Sequence, residues 1–202
     1  MTLFFFYTFF DMLYALAHLL RDYCPWIWEA VEYINSWVFA LRYGRRMKGM
    51  DTVLAHHQGA FAVELLKAED VPSLAQFFCE QPEEAFTFFH PHGFDEKTLH
   101  RLQRSRSFLT FVVKEKGVIV GYFFLRCYFM GKCFRGYMVD YQQRNRGIAK
   151  LTSRVMTDVA AMLGIPSYGT IAPANIASMK SQNATILRQL ENGDYYVEYG
   201  KE

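Results

Sequence analysis

Residues 142–150 read Gln-Gln-Arg-Asn-Arg-Gly-Ile-Ala-Lys, a polar and basic turn set between FRGYMVD, which patterns as a strand, and KLTSRVMTDVAAML, which patterns as a helix. A strand that feeds a helix through a glycine-containing turn leaves the first helical N–H groups without intrahelical partners. They point outward, and the helix dipole favours negative charge there. This is chemistry for holding an anion. A side chain at Gly147 would obstruct close approach to the backbone, Ala149 keeps the next turn narrow, and Arg144 and Arg146 add charge-assisted bonds. The stretch lacks the G-K-[ST] ending of a P-loop and the G-x-G-x-x-G of dinucleotide folds. An exposed basic turn before a helix is the competing reading.

His90-Pro91-His92, in FTFFHPHGFDEKTL, is the second constellation. Proline fixes its own φ and biases His90 toward extended backbone, so both imidazoles are held. A neutral imidazole near pH 7 suits a base that takes a proton from an ammonium group. Asp140 is a third candidate base, or a solvated strand end. Histidines packed beside an aromatic cluster are an equally open reading, and a metal pair lacks a third ligand. No metal is expected.

The elements that must position these residues follow from periodicity and turn chemistry. A strand ends near Leu66, and a helix opens around Asp70 with Pro72 in its first turn. DEKTLHRLQR is a second helix, with Asp95 placed as N-cap. Three β-rich runs, 108–114, 118–129 and 132–140, are separated by EKG and MGK turns and predict an antiparallel meander. The helix of 147–163 stops at Gly164 and Pro166. Then come a short strand (SYGTIAP), a helical turn or two (NIASMKSQ), and two strands around Asn192-Gly193. The order β-α-α-β-β-β-α-β-α-β-β is an α+β plan with one central mixed sheet.

Residues 1–50 stand apart from this domain of 51–202. Residues 3–20 are apolar except for Thr8, Asp11 and His18, close to the length of a membrane span, but Asp11 near the middle opposes burial in a bilayer. No Lys or Arg precedes the run, so a secretory signal is disfavoured. After Pro25, apolar residues at 27, 31, 34, 38 and 41 oppose Glu29, Glu32 and Ser36, which is amphipathic helical spacing. Arg42, Arg45, Arg46 and Lys48 follow as a basic patch suited to anionic headgroups. Two readings stay open: a helical hairpin on the cytoplasmic membrane surface through residues 1–48, or helices packed on the main domain or on a second copy in a homodimer.

A formal charge of +2 gives no basic footprint for nucleic acid. Cys24, Cys79, Cys127 and Cys133 form no C-x-x-C pair and read as buried, reduced thiols of a cytoplasmic protein, with Cys127 and Cys133 near enough across a hairpin to meet.

Arg144-x-x-Gly147-x-Ala149, after a third antiparallel strand and before a long helix, resembles the Q/R-x-x-G-x-G/A pyrophosphate loop of the GNAT superfamily of acyl-CoA-dependent N-acyltransferases. Asn175-Ile176-Ala177-Ser178 falls where that family has a second CoA-contacting segment, so the resemblance spans residues 58–202. It implies a GNAT-like, mostly antiparallel sheet flanked by helices, with acetyl-CoA as acyl donor and a small-molecule amine as acceptor. The amides of Arg146, Gly147, Ile148 and Ala149 would hold the pyrophosphate, with Arg144 and Asn145 at its edge. Tyr137, Met138 and Val139 would pair with the pantetheine arm through their backbone, and Asn175 and Ser178 would meet its far side. His92, then His90 and Asp140, are the candidate bases. Many members carry a tyrosine shortly after that asparagine to protonate the leaving thiolate; NIASMKSQNATIL offers none, and the acid is unassigned. FFHPHGFD and VGYFFLR are similar to phrases in a subgroup linked to bacterial surface-polysaccharide and amino-sugar modification, which implies an amino sugar or nucleotide-linked amino sugar as acceptor. Arg126, in the second phrase, faces a sugar phosphate or sits on an exposed strand face. A peptide or protein N-acetyltransferase and a non-catalytic, membrane-associated CoA-binding module are the alternatives.

Overall fold

The computed structural model describes residues 25–182 and 184–200. The apolar run 3–20 and Cys24 lie outside them.

Seven strands form one sheet in the order β1-β2-β3-β4-β5-β7-β6: β1 (Ala62–Leu65), β2 (Phe108–Glu115), β3 (Val118–Tyr128), β4 (Lys132–Val139), β5 (Ser167–Ile171), β6 (Ala184–Gln189) and β7 (Tyr195–Tyr199). All neighbours are antiparallel except β4 and β5. The helices are α1 (Pro25–Met47), α2 (Met50–His56), α3 (Val71–Cys79), α4 (Glu83–Phe86), α5 (Glu96–Arg104), α6 (Ile148–Leu163) and α7 (Ile176–Ser181). The α+β plan, the meander and its turns agree with the sequence reading. The short helices α2 and α4 were not anticipated, nor was the insertion of β7 between β5 and β6.

β2 and β3 are nearly continuous in apolar residues because helices cover both faces of the sheet's centre. On one face α1, α2 and α6 pack Phe39, Met50, Val155 and Val159 against Phe111 and Phe123. On the other, α3 and α5 pack Leu74, Phe78 and Leu99 against Val112, Tyr122 and Phe124. Lys116 and Gly117, both with positive φ, close the β2–β3 hairpin. Asp95 caps α5 as expected, its Oδ1 accepting from the Thr98 amide at 2.9 Å.

Helix α1 docks on the main domain through the side opposite its apolar stripe. The side carrying Glu29, Glu32 and Ser36 is the docked one. Glu29 pairs with Arg101 at 3.3 Å, Glu32 pairs with Arg126 at 2.6 Å, Ser36 Oγ accepts from the Arg106 amide at 2.9 Å, and Phe39 is 0% exposed. The expected apolar face turns outward: Ile34 and Leu41 are exposed, with Tyr33 and Trp37 beside them. Of the basic patch, Arg42 donates to the Phe129 carbonyl and Arg46 to the Leu163 carbonyl. The amphipathic pattern was real, and the docked side combines these polar pairs with the buried Phe39 and Tyr43. Among the described residues no helix is long and apolar enough to cross a membrane.

The cysteines need one correction. Cys127 and Cys133 are buried, face each other in the β3–β4 register, and remain thiols, whereas Cys79 is exposed at the end of α3. The hydrogen bond to Cys133, with burial added, holds the Cys127 thiol well above its ordinary pKa.

Candidate active site

The parallel pairing of β4 with β5 is short: only Cys133 with Ser167 and Phe134 with Tyr168 are in register. Beyond them the strands have no partner in each other, and a crevice of about 1060 Å³ opens between their C-terminal ends. A crevice outside the carboxyl ends of diverging strands is where α/β sheets take ligands. The Cys133 amide donates to the Pro166 carbonyl, whereas the Asp140 amide donates to Val120 on the opposite side. Backbone direction alternates along a strand. Tyr137 and Val139 therefore aim their N–H and C=O toward the gap, and Met138 aims its own toward β3.

At the mouth stands the start of α6. Gly147 has φ 84°, a left-handed conformation that favours glycine, and an added Cβ there would meet no atom within 4 Å. Asn145 is also left-handed, with φ 64°, which asparagine tolerates. The Gly147 carbonyl accepts from the Leu151 amide at 3.0 Å, and no side chain caps the helix, so its first N–H groups face open space. Arg144, Asn145, Gly147, Ile148 and Ala149 border the crevice, with Asn175 and Ser178 across it. The Arg144 guanidinium lies 4.2 Å from the Tyr141 ring centroid. Arg146 turns away: its guanidinium forks onto Glu115 at 2.7 and 2.9 Å, holding that carboxyl below its ordinary pKa. Asn175 Oδ1 accepts from the Ser178 amide at 3.1 Å and caps α7.

The three candidate bases separate. His90 is exposed and borders the crevice, 6.3 Å from the Phe86 ring. His92 does not border it. Its Nδ1 lies 2.8 Å from the Gly93 carbonyl and its Nε2 2.8 Å from the Tyr122 hydroxyl. A carbonyl only accepts, so Nδ1 carries the proton and Nε2 accepts from Tyr122. Burial lowers the His92 pKa, with Arg101 and Arg126 acting in the same direction against the Gly93 bond and Asp95. Asp140 Oδ1 accepts from the Gln142 amide at 2.9 Å and lies outside the crevice lining.

Several crevice residues escaped the sequence reading. Lys150 was legible in principle, since it lies in the first turn of α6 beside the glycine. Arg135, Gln182 and Tyr199 come from three separate elements and carry no local signal. Neither does the ring of Phe88, Phe89, Phe108, Phe124, Tyr128 and Phe134 at the far end, where Arg126, held by Glu32, is the cation.

Solved structures share this architecture. Superposition on the GNAT domain of S. lividans PAT covers 70% of this chain and 90% of that one, at 19% identity and a TM-score of 0.61. The chain has the GNAT fold. PaiA N-acetyltransferase from Thermoplasma acidophilum, solved in complex with coenzyme A, matches over 71% of this chain and 100% of its own, at 11% identity and a TM-score of 0.60. YncA from Salmonella typhimurium, a putative acetyltransferase solved with its cofactor acetyl-CoA, matches over 71% and 95%, at 16% identity and 0.57. No family model and no curated protein matches the chain. At these identities the GNAT likeness is one of fold, and the activity rests on the site.

Proposed function

We propose that the protein transfers an acetyl or short acyl group from acyl-CoA to an amine. The observation that carries this reading is the crevice between β4 and β5 with the uncapped start of α6 at its mouth. The amides of Gly147, Ile148 and Ala149 hold the pyrophosphate, with Arg144 and Lys150 adding positive charge. The edge of β4 at Tyr137 and Val139 aligns the pantetheine arm, so the thioester lies against the acceptor and catalysis is largely positioning. A β4 backbone N–H meets the oxyanion that develops on the thioester carbonyl.

The acceptor enters from the aromatic end, where ring faces favour an ammonium group. His90, directly or through one water, takes the proton that the amine loses, because it borders the crevice. His92, with both ring nitrogens engaged, holds the loop that presents His90. Asp140 caps its turn. The substrate class we favour is an amino sugar or nucleotide-linked amino sugar, supported by the HPHGFD phrase and by Glu84 and His90 at the rim. Calorimetry with acetyl-CoA, then a mass-spectrometric screen of amino sugars and peptides, tests the proposal. Well-folded protein that binds no acyl-CoA refutes it; binding without turnover of any amine favours a non-catalytic CoA module.

A further inference from the structure

Among the described residues, Arg135 is a buried cation paired only with neutral groups. It is 7% exposed and borders the crevice beside the last β4–β5 pair, where the two strands separate. Its Nε donates to Gln182 Oε1 at 3.1 Å, one terminal nitrogen to Thr157 Oγ1 at 3.0 Å and to the Ser153 carbonyl at 3.5 Å, and the other to Ser153 Oγ at 3.3 Å. Its carbon Cζ lies 3.4 Å from the centre of the Tyr199 ring. Among the described residues no carboxylate forms an ion pair with it. Gln182 is itself fixed, its Nε2 donating to Ser178 Oγ at 2.8 Å. Buried charges are ordinarily paired, because an uncompensated one is expensive to desolvate. Burial lowers this guanidinium to about 10, which leaves it charged at neutral pH.

The location suggests what completes the pair. On the reading that acyl-CoA lies with its phosphates on α6 and its arm along β4, the arm passes Val139 and Tyr137 and brings its sulfur toward residue 135, four residues or about 13 Å along the strand. We propose that Arg135, positioned by Gln182 and Tyr199, is the counter-charge for the thiolate that leaves when the acyl group is transferred. The amine lone pair forms the new C–N bond at the thioester carbonyl, and the C–S bond breaks with its electron pair going to sulfur. The nitrogen's proton goes to His90 or water. The guanidinium keeps its own protons and holds the sulfur anion, which takes a proton from water once CoA departs. This inference rests on the acyl-CoA reading of the crevice.

The test compares CoA with acetyl-CoA on the full chain by calorimetry at pH 6.5, 7.5 and 8.5. The two ligands share every titrating group except the thiol. The titratable groups facing Arg135 are Tyr199, Cys133 and Tyr137, and burial raises the Tyr199 pKa away from this window. Preference for CoA over acetyl-CoA should grow with pH, by about tenfold for each unit by which the site lowers the thiol pKa. Arg135→Gln should flatten the trend, and Arg135→Lys should restore part of it. A flat trend in the unmodified protein, with both ligands bound, overturns the proposal even if Arg135→Gln does not fold. A trend that survives in Arg135→Gln overturns it too. Failure of both ligands to bind removes the acyl-CoA reading itself and the inference with it.

Discussion

The two ends of the crevice use opposite materials. At the α6 end the groups offered are backbone amides of consecutive residues, arranged by two left-handed residues, Asn145 and Gly147. At the aromatic end they are side chains from α4, β2, β3, β4 and the 88–91 loop, arranged by long-range packing. A backbone site depends on conformation at a few positions and is broken by one wrong residue. A side-chain site spreads its contribution over many contacts and degrades in steps.

Gly147→Glu should break the first end most severely. A side chain is strained at φ 84°, and a carboxylate would occupy the space open to phosphate, so acyl-CoA affinity should fall by at least about a hundredfold with the circular dichroism spectrum unchanged. Retained affinity in calorimetry would remove the phosphate assignment. At the other end, His90→Ala should lower turnover of the amine by about a hundredfold while acyl-CoA affinity stays within twofold. A parallel loss of both would mean that His90 supports the loop rather than the chemistry.

Smaller effects separate the basic residues. Arg144→Ala and Lys150→Ala should each weaken acyl-CoA binding by about tenfold. Arg146→Ala should change it by less than about twofold, because that side chain is committed to Glu115. Equal losses in all three would show that the fork onto Glu115 opens when the ligand arrives. The smallest change concerns His92 and stability against pH. Its folded pKa is lowered by burial, while the unfolded chain titrates near 6.5. Above about pH 6.5 both states are neutral and nothing is lost. As pH falls further the unfolded state takes up the proton first, so stability declines until the folded pKa is passed. The melting temperature should drop less between about pH 7 and 5 in His92→Gln than in the unmodified chain; identical slopes would show that His92 does not titrate this way.

What could be read from sequence follows the same division. Residues 142–150 were legible because strand, turn and helix are consecutive, and hairpin turns and caps such as Asp95 are local by nature. The pairing of Arg146 with Glu115 could not be read, because Glu115 is a strand away and sequence spacing says nothing of that competition. Arg135, Gln182 and Tyr199 meet only when β4, the end of α7 and β7 converge. Helix α1 was legible only in part. Its period was correct, but period says which residues share a face, not whether that face looks at protein or at water.

On the proposed function, the polar seam under α1 would also tie acceptor choice to a segment outside the sheet that builds the crevice. Glu32 pairs with Arg126 at the aromatic end, so this helix would temper the positive charge that an acceptor entering there meets. Glu32→Gln would leave that cation uncompensated and should tilt competition between neutral and anionic amines toward the anionic one; an unchanged ratio would show that the acceptor never senses it.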